Sequence, residues 1–167
     1  KTTKNIQSAE KDLLSRVDLS IVVSKQLFES KGTFNEHTYL IPNGVDYEAY
    51  ENASRSRQPL PFDVADLSRP IIGYSGLISS RLDLNLLKHI AERHPEWSLV
   101  LVGGTNEGWS DSTYEQLQRM RNVHFLGLKD VSRMPYYVKA FDVCVIPYGM
   151  NKQAENLSPL KLYDFLA

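Results

Sequence analysis

Leu13, Leu14 and Val17 recur at helical spacing and predict a helix over residues 4–17. Residues 19–23 are a short apolar run and predict a buried strand. Ser24 opens a short helix over 25–31 that Gly32 closes, and residues 38–41 predict a second short strand. Pro42-Asn43-Gly44-Val45-Asp46 is a strong turn signal, with Asp46 placed to cap a helical stretch over 47–50. Residues 53–69 lose the periodicity. Arg55, Arg57, Pro59, Pro61 and Arg69 stand among few apolar positions, which reads as a linker.

After Pro70 the pattern becomes regular. Residues 71–75 predict a strand ending at Gly76, and Leu84, Leu86, Leu87, Ile90 and Ala91 form one face of a helix. Residues 98–102 predict a strand ending in Gly103-Gly104, and 112–120 a weaker helix. Residues 123–126 predict a strand ending at Gly127, 131–140 a helix, and 143–146 a strand ending at Pro147. A last helix starts at Pro159. Strand and helix alternate, and the strands are apolar runs without a period of two. That combination predicts an α/β fold, a doubly wound parallel sheet covered on both faces. The chain then divides into the end of one Rossmann-like domain (1–46), an interdomain linker (47–69) and a second such domain (70–167).

Composition narrows the class. Hydrophobic residues make up 42% of the 167 positions, enough for a buried core. A formal net charge of -1 argues against a nucleic-acid partner, which would call for a basic patch. The single cysteine, Cys144, lies inside the apolar run Val143-Cys144-Val145-Ile146, so it reads as a small core residue, and no internal disulfide can form. The sequons at Asn52 and Asn156 read as chance, because no signal-peptide pattern accompanies them. No run approaches the roughly 20 apolar residues of a membrane span. One thiol and no export signal point to the cytoplasm. Lys1 opens directly into a helical pattern, and Ala167 stops within an apolar helical run, so the sequence reads as a fragment truncated at both ends.

Open parallel sheets bind ligands beyond the carboxyl ends of their strands. Three of those ends carry glycine, at Gly76, Gly103-Gly104 and Gly127, and glycine lets a backbone approach a ligand closely. The sharpest local feature is Asn156-Leu157-Ser158-Pro159-Leu160-Lys161-Leu162-Tyr163-Asp164. Ser158 suits an N-cap and Pro159 the first helical position, leaving the amides of Leu160 and Lys161 free for an anion such as a diphosphate. Lys161 adds positive charge, and Asp164, one turn on, can accept hydrogen bonds from two ribose hydroxyls. A capped helix with solvated Lys161 and Asp164 explains the same residues equally well. Arg81 can reach the same phosphates or be a surface arginine, and Asp83 reads as a helix N-cap. There is no G-x-x-x-x-G-K and no G-x-G-x-x-G, so neither nucleotide fingerprint is present. No Asp-x-Asp pair occurs, and His37, His89, His94 and His124 lack metal-ligand spacing. Metal and cofactor are therefore not expected.

Taken in order, these segments resemble the glycosyltransferases of the GT-B fold, specifically family 4. The resemblance rests on Ser20-Ile-Val-Val-Ser24, Ile41-Pro-Asn-Gly-Val-Asp46, Ile71-Ile-Gly-Tyr-Ser-Gly76, Val123-His-Phe-Leu-Gly127, Ala140-Phe-Asp-Val-Cys-Val-Ile-Pro147 and Ser158-Pro-Leu-Lys-Leu-Tyr-Asp-Phe-Leu-Ala167. Each motif is weak alone; their order and spacing are more specific. The resemblance implies an enzyme that moves a sugar from a UDP- or GDP-linked donor to a glycan or lipid-linked acceptor, without a metal, at the cytoplasmic face of a membrane. It implies that Gly76 faces the diphosphate and Arg81 binds it. It also implies that Leu128 and Lys129 offer backbone contacts to the base, that Ser158, Pro159 and Leu160 hold phosphate, and that Asp164 binds the ribose. Two positions depart from the family pattern. Asn156, beside Glu155, stands where the first glutamate of the acidic motif is usual, and Leu77 replaces an arginine often found after the loop glycine. In this fold the acceptor site comes mostly from the other domain, so the chain is expected to bind donor nucleotide without turning it over. A nucleotide-sugar epimerase of similar fold and a non-catalytic nucleotide-sugar-binding subunit are the alternatives, and fold alone does not decide between them.

Overall fold

The computed structural model describes residues 2–149 and 159–167. Residues 2–44 form one compact unit, and residues 45–149 with 161–167 form another.

The first unit runs α1 (Thr2–Leu14), β1 (Ser20–Val22), α2 (Lys25–Lys31) and β2 (Thr38–Leu40). The strands pair in parallel, with Ser20 opposite Thr38 and their hydroxyls 2.7 Å apart. Asn35 ties the end of α1 down by donating its side-chain amide to the carbonyls of Leu14 and Val17, both at 2.9 Å. Ser24 caps α2, its hydroxyl accepting from the Leu27 amide at 3.3 Å. The apolar run of residues 19–23 forms the expected strand but is not buried as expected. Val22 is covered, whereas Leu19 and Ile21 are exposed. A strand is buried on both faces only between two layers, and among the described residues this sheet has two strands and α2 packed against them.

The second unit contains α3 (Tyr47–Arg55), α4 (Phe62–Ala65), β3 (Ile71–Ser75), α5 (Leu84–Arg93), β4 (Ser98–Val102), α6 (Ser112–Gln118) and β5 (Val123–Gly127). A 3-10 turn (Val131–Arg133), α7 (Met134–Ala140), β6 (Val143–Cys144) and α8 (Leu160–Leu166) follow. The four strands are all parallel in the order β5-β4-β3-β6. Alternate residues of the central strands serve opposite faces. Ile72, Tyr74, Leu99 and Leu101 pack with Leu84, Leu87 and Ala91 of α5 and Leu117 of α6. Ile71, Val100 and Val102 pack with Val64 of α4 and with Tyr137 and Ala140 of α7. Every residue of β3 and β4 is buried, which explains why neither strand shows a period of two. Burying each large aliphatic side chain contributes about 1.5–3 kcal/mol, so these two layers are the main stabilising feature of the unit.

Local chemistry sets the element ends. Asp83 caps α5 through the Leu86 amide at 2.9 Å, and Asp111 caps α6 through the amides of Thr113 and Tyr114. The helix expected over 131–140 divides, because Asp130 caps a 3-10 turn and α7 begins afresh with Pro135 in its first turn. Leu86, expected on the apolar face of α5, is exposed, and His89 is also exposed. Cys144 is only partly covered, against the layer around Tyr137 and Phe141.

Residues 47–69, read as a linker, carry two helices. Asp46 caps α3 through the Ala49 amide at 3.1 Å, as expected. Ala53 and Val64 are buried, and α3 and α4 pack against α7. Each short helix buries one residue, too few to leave a visible period in the sequence. Asp142 fastens the starts of β3 and β6. One carboxylate oxygen accepts from the Ile71 amide at 2.6 Å, and the other takes Arg69 Nη2 at 2.6 Å and Nε at 3.2 Å. The Ile71 amide holds this carboxyl below the usual aspartate range despite some desolvation, and Arg69 adds to the effect.

Candidate functional site

From β3 the chain moves outward through β4 to β5, then returns to place β6 on the other side of β3. The direction of winding therefore switches between β3 and β6. In open α/β sheets the crevice at such a point, outside the carboxyl ends of the strands, is where ligands bind.

The carboxyl end of β3 is Ser75, followed by Gly76 at φ +137. The Gly76 amide stays bonded to the Val102 carbonyl at 2.8 Å, so the turn remains attached to the end of β4. A Cβ on Gly76 would lie 3.0 Å from Lys161 Cε and 3.2 Å from its Nζ, so the lysine of α8 is laid across the turn. Gly103, at φ +149, is needed for a different reason: a Cβ there would collide with the Gly76 carbonyl oxygen. These two glycines allow two strand ends to touch through backbone alone.

Lys161 donates to Tyr148 Oη at 2.6 Å, and its ammonium lies 5.4 Å from the Tyr74 ring centre and 5.1 Å from that of Tyr148. Tyr74, at 1% exposure, donates to the Leu77 carbonyl at 3.0 Å. Burial raises its phenol far above the ordinary range; the nearby Tyr148 adds to this, and the positive charge of Arg81 opposes it. Arg81 is exposed and sits on an anchored backbone, its carbonyl accepting from the Gly149 amide at 2.9 Å. Leu82 and Tyr148 form an antiparallel bridge beside it. Gly76, Arg81 and Lys161, far apart in sequence, thus gather at the switch point around two tyrosines.

Asp164 lies three residues after Lys161, on a neighbouring face of α8. It is half-buried, and desolvation raises its carboxyl; the Tyr50 hydroxyl of α3 and the Lys161 charge oppose that rise. Burial and the Asp164 charge push the Tyr50 phenol strongly upward. The pair sets a phenol beside a carboxylate that can accept further hydrogen bonds.

Leu128 and Lys129 lie at the end of β5, two strands from β3. The Leu128 side chain is 83% exposed and lies over Gly104. Lys129 is directed elsewhere, pairing with Asp63 of α4 at 2.7 Å and lying 5.6 Å over the Tyr137 ring. Pro159 and Leu160 stand at the start of α8, and Leu160 is exposed. Ser158, Asn156 and Glu155 lie outside the described residues. Among the described residues, no group of histidine, cysteine, aspartate or glutamate is arranged to hold a metal ion.

The sequence reading missed Tyr50, Tyr74 and Tyr148. Two of them had a signal: Tyr74 is the penultimate residue of β3, and Tyr148 directly follows the strand-ending Pro147, so both belong at carboxyl ends of strands. Tyr50 carried none.

A Rossmann-like sheet with its polar cluster at the switch point defines the class: the chain has the α/β architecture of nucleotide-binding domains and is similar to glycosyltransferases. No family model matches it. It is 29% identical, over 98% of its length, to TuaH of Bacillus subtilis (strain 168), whose name assigns it to the glycosyltransferases of teichuronic acid biosynthesis. It is also similar to the crystal structure of Anabaena Alr3699/HepE in complex with UDP and glucose, with a TM-score of 0.64 and 26% identity over 84% of the chain. The chain spans 42% of the first relative and 40% of the second. No helix of the described residues is long and apolar enough to cross a membrane.

Proposed function

We propose that the chain is the donor-binding part of a glycosyltransferase that moves a sugar from a UDP- or GDP-linked donor to a glycan or lipid-linked acceptor. The observation that carries this reading is the ammonium of Lys161 laid against the Gly76 turn at the switch point, with Arg81 beside it. Both relatives carry glycosyltransferase or UDP and glucose in their descriptions, which favours this reading over an epimerase or a non-catalytic subunit.

In this reading the diphosphate lies over the Gly76–Leu77 turn between Lys161 and Arg81, and the ribose hydroxyls bond to Asp164. The backbone of Leu128 and Lys129 faces the base, and Ser158, Pro159 and Leu160 hold phosphate. When the bond between the anomeric carbon and the diphosphate oxygen breaks, its electron pair leaves with the diphosphate. The acceptor hydroxyl oxygen supplies the pair for the new bond and loses its proton. Two cations facing the departing oxygen, of which Lys161 is held in place, stabilise the growing negative charge where it develops, the task a metal performs in other enzymes. Residues 1–46 belong to the acceptor-side domain and 70–167 to the donor-side domain, and the enzyme works in the cytoplasm at the membrane face. Because the chain spans about two fifths of its relatives, transfer itself needs groups it does not carry.

Calorimetric titration with UDP and GDP, beside an Asp164→Ala variant, tests the reading. It predicts saturable binding of one nucleotide and a loss of about 10- to 100-fold in the variant, the range for a hydrogen bond to a charged group. A folded chain that binds neither nucleotide overturns it.

A further inference from the structure

Lys161 is tethered at its charged end. Its ammonium donates to Tyr148 Oη at 2.6 Å. Tyr74 donates to the carbonyl of Leu77, the residue after Gly76, at 3.0 Å. One hydroxyl therefore holds the ammonium and the other holds the turn that Lys161 lies across. Among the described residues the hydrogen-bond partner of the ammonium is Tyr148, and an ammonium carries three protons, so donors remain for a ligand. Both rings also lie beside the cation.

We propose that Tyr148 and Tyr74 are positioning residues that fix the Lys161 ammonium, and the carbonyl of the Gly76–Leu77 turn, for a donor diphosphate. This rests on the donor-site reading above. The Tyr148 hydroxyl and the two rings leave Lys161, otherwise a flexible four-carbon chain, in one place before the ligand arrives, so binding need not order it. Their effect is confined to the charged part of the ligand. A nucleoside lacking phosphates gains nothing from it.

The test compares UDP with uridine (or GDP with guanosine, should GDP bind more tightly) on the parent chain, Tyr148→Phe, Tyr74→Phe and Lys161→Ala. Affinities come from calorimetry and, for the nucleoside, ligand-observed NMR; melting temperatures are read alongside. Tyr148→Phe keeps the ring and removes the hydroxyl. The expected result is about a tenfold loss of diphosphate affinity, as for one hydrogen bond to a charged group, with nucleoside affinity unchanged. Tyr74→Phe keeps its ring beside the cation but releases the Leu77 carbonyl of the turn, and is expected to act in the same direction, which keeps the test open should one variant fold poorly. Equal losses for nucleotide and nucleoside would mean a merely structural role and overturn the proposal. Unchanged diphosphate affinity in both tyrosine variants, with a loss in Lys161→Ala, would overturn it and leave the donor reading standing. Unchanged affinity in Lys161→Ala would overturn the donor reading and this proposal together.

Discussion

Asp164 and Lys161 stand three residues apart on α8, and the difference in their surroundings decides what each can do. Lys161 is held against two rings and a glycine turn; Asp164 is half-buried beside the Tyr50 phenol. A carboxylate with spare lone pairs suits a pair of ribose hydroxyls. Asp164→Ala is therefore expected to erase discrimination between UDP and 2′-deoxy-UDP as well as to weaken both, measured by competition titration. Retained discrimination in the variant would remove Asp164 from the ribose. These two residues were legible in the sequence because a helix fixes the i, i+3 relation locally. The tyrosines were not, because Tyr74 and Tyr148 meet Lys161 only when β3 and β6 become neighbours. Lys129 shows the converse. Its backbone position was legible, but its ion pair with Asp63 depends on α4, which left no periodic trace.

At the scale of elements, the strand ends carry the consequences. Gly103→Ala puts a Cβ into the Gly76 carbonyl oxygen at a φ that L residues rarely adopt, and both strands are locked by their ladder. The expected cost is about 3 kcal/mol or more, read as a large fall in the denaturant midpoint. A near-native midpoint would show that the two turns can separate. Asp142 makes a second prediction at the opposite end of β3. Its carboxyl is depressed in the folded chain, so its contribution to stability is present above the unfolded value of about 4 and fades as pH falls through the lower folded value. Asp142→Asn should lower the midpoint at pH 7 by the equivalent of about 1–2 kcal/mol. The gap to the parent should close below about pH 4. A gap independent of pH would contradict this assignment. The alternation of strands and helices over residues 70–147 was legible because apolar runs and glycine or proline stops recur there. Of α3 only the start behind Asp46 was legible, and α4 was hidden, because arginines and prolines dominate residues 53–69 while a single alanine and a single valine carry the packing.

For the molecule as a whole, sequence pattern and sheet order point to one location. The parallel order β5-β4-β3-β6 places the switch beside the Gly76 turn, and the cationic side chains the sequence suggested for a diphosphate are found there. Saturating nucleotide should stabilise the fold by mass action, by about 2.7 kcal/mol at a hundredfold excess over Kd, visible as a rise in melting temperature. The unit of residues 45–149 and 161–167 should carry that gain. The most direct test of the central claim is an amide-resolved NMR titration of the chain with UDP and GDP. The account predicts that one of them shifts the amides of Gly76, Leu77, Arg81, Tyr148 and Lys161 together, along one saturation curve. Shifts confined to other strand ends or surfaces, or none with either nucleotide, would contradict it.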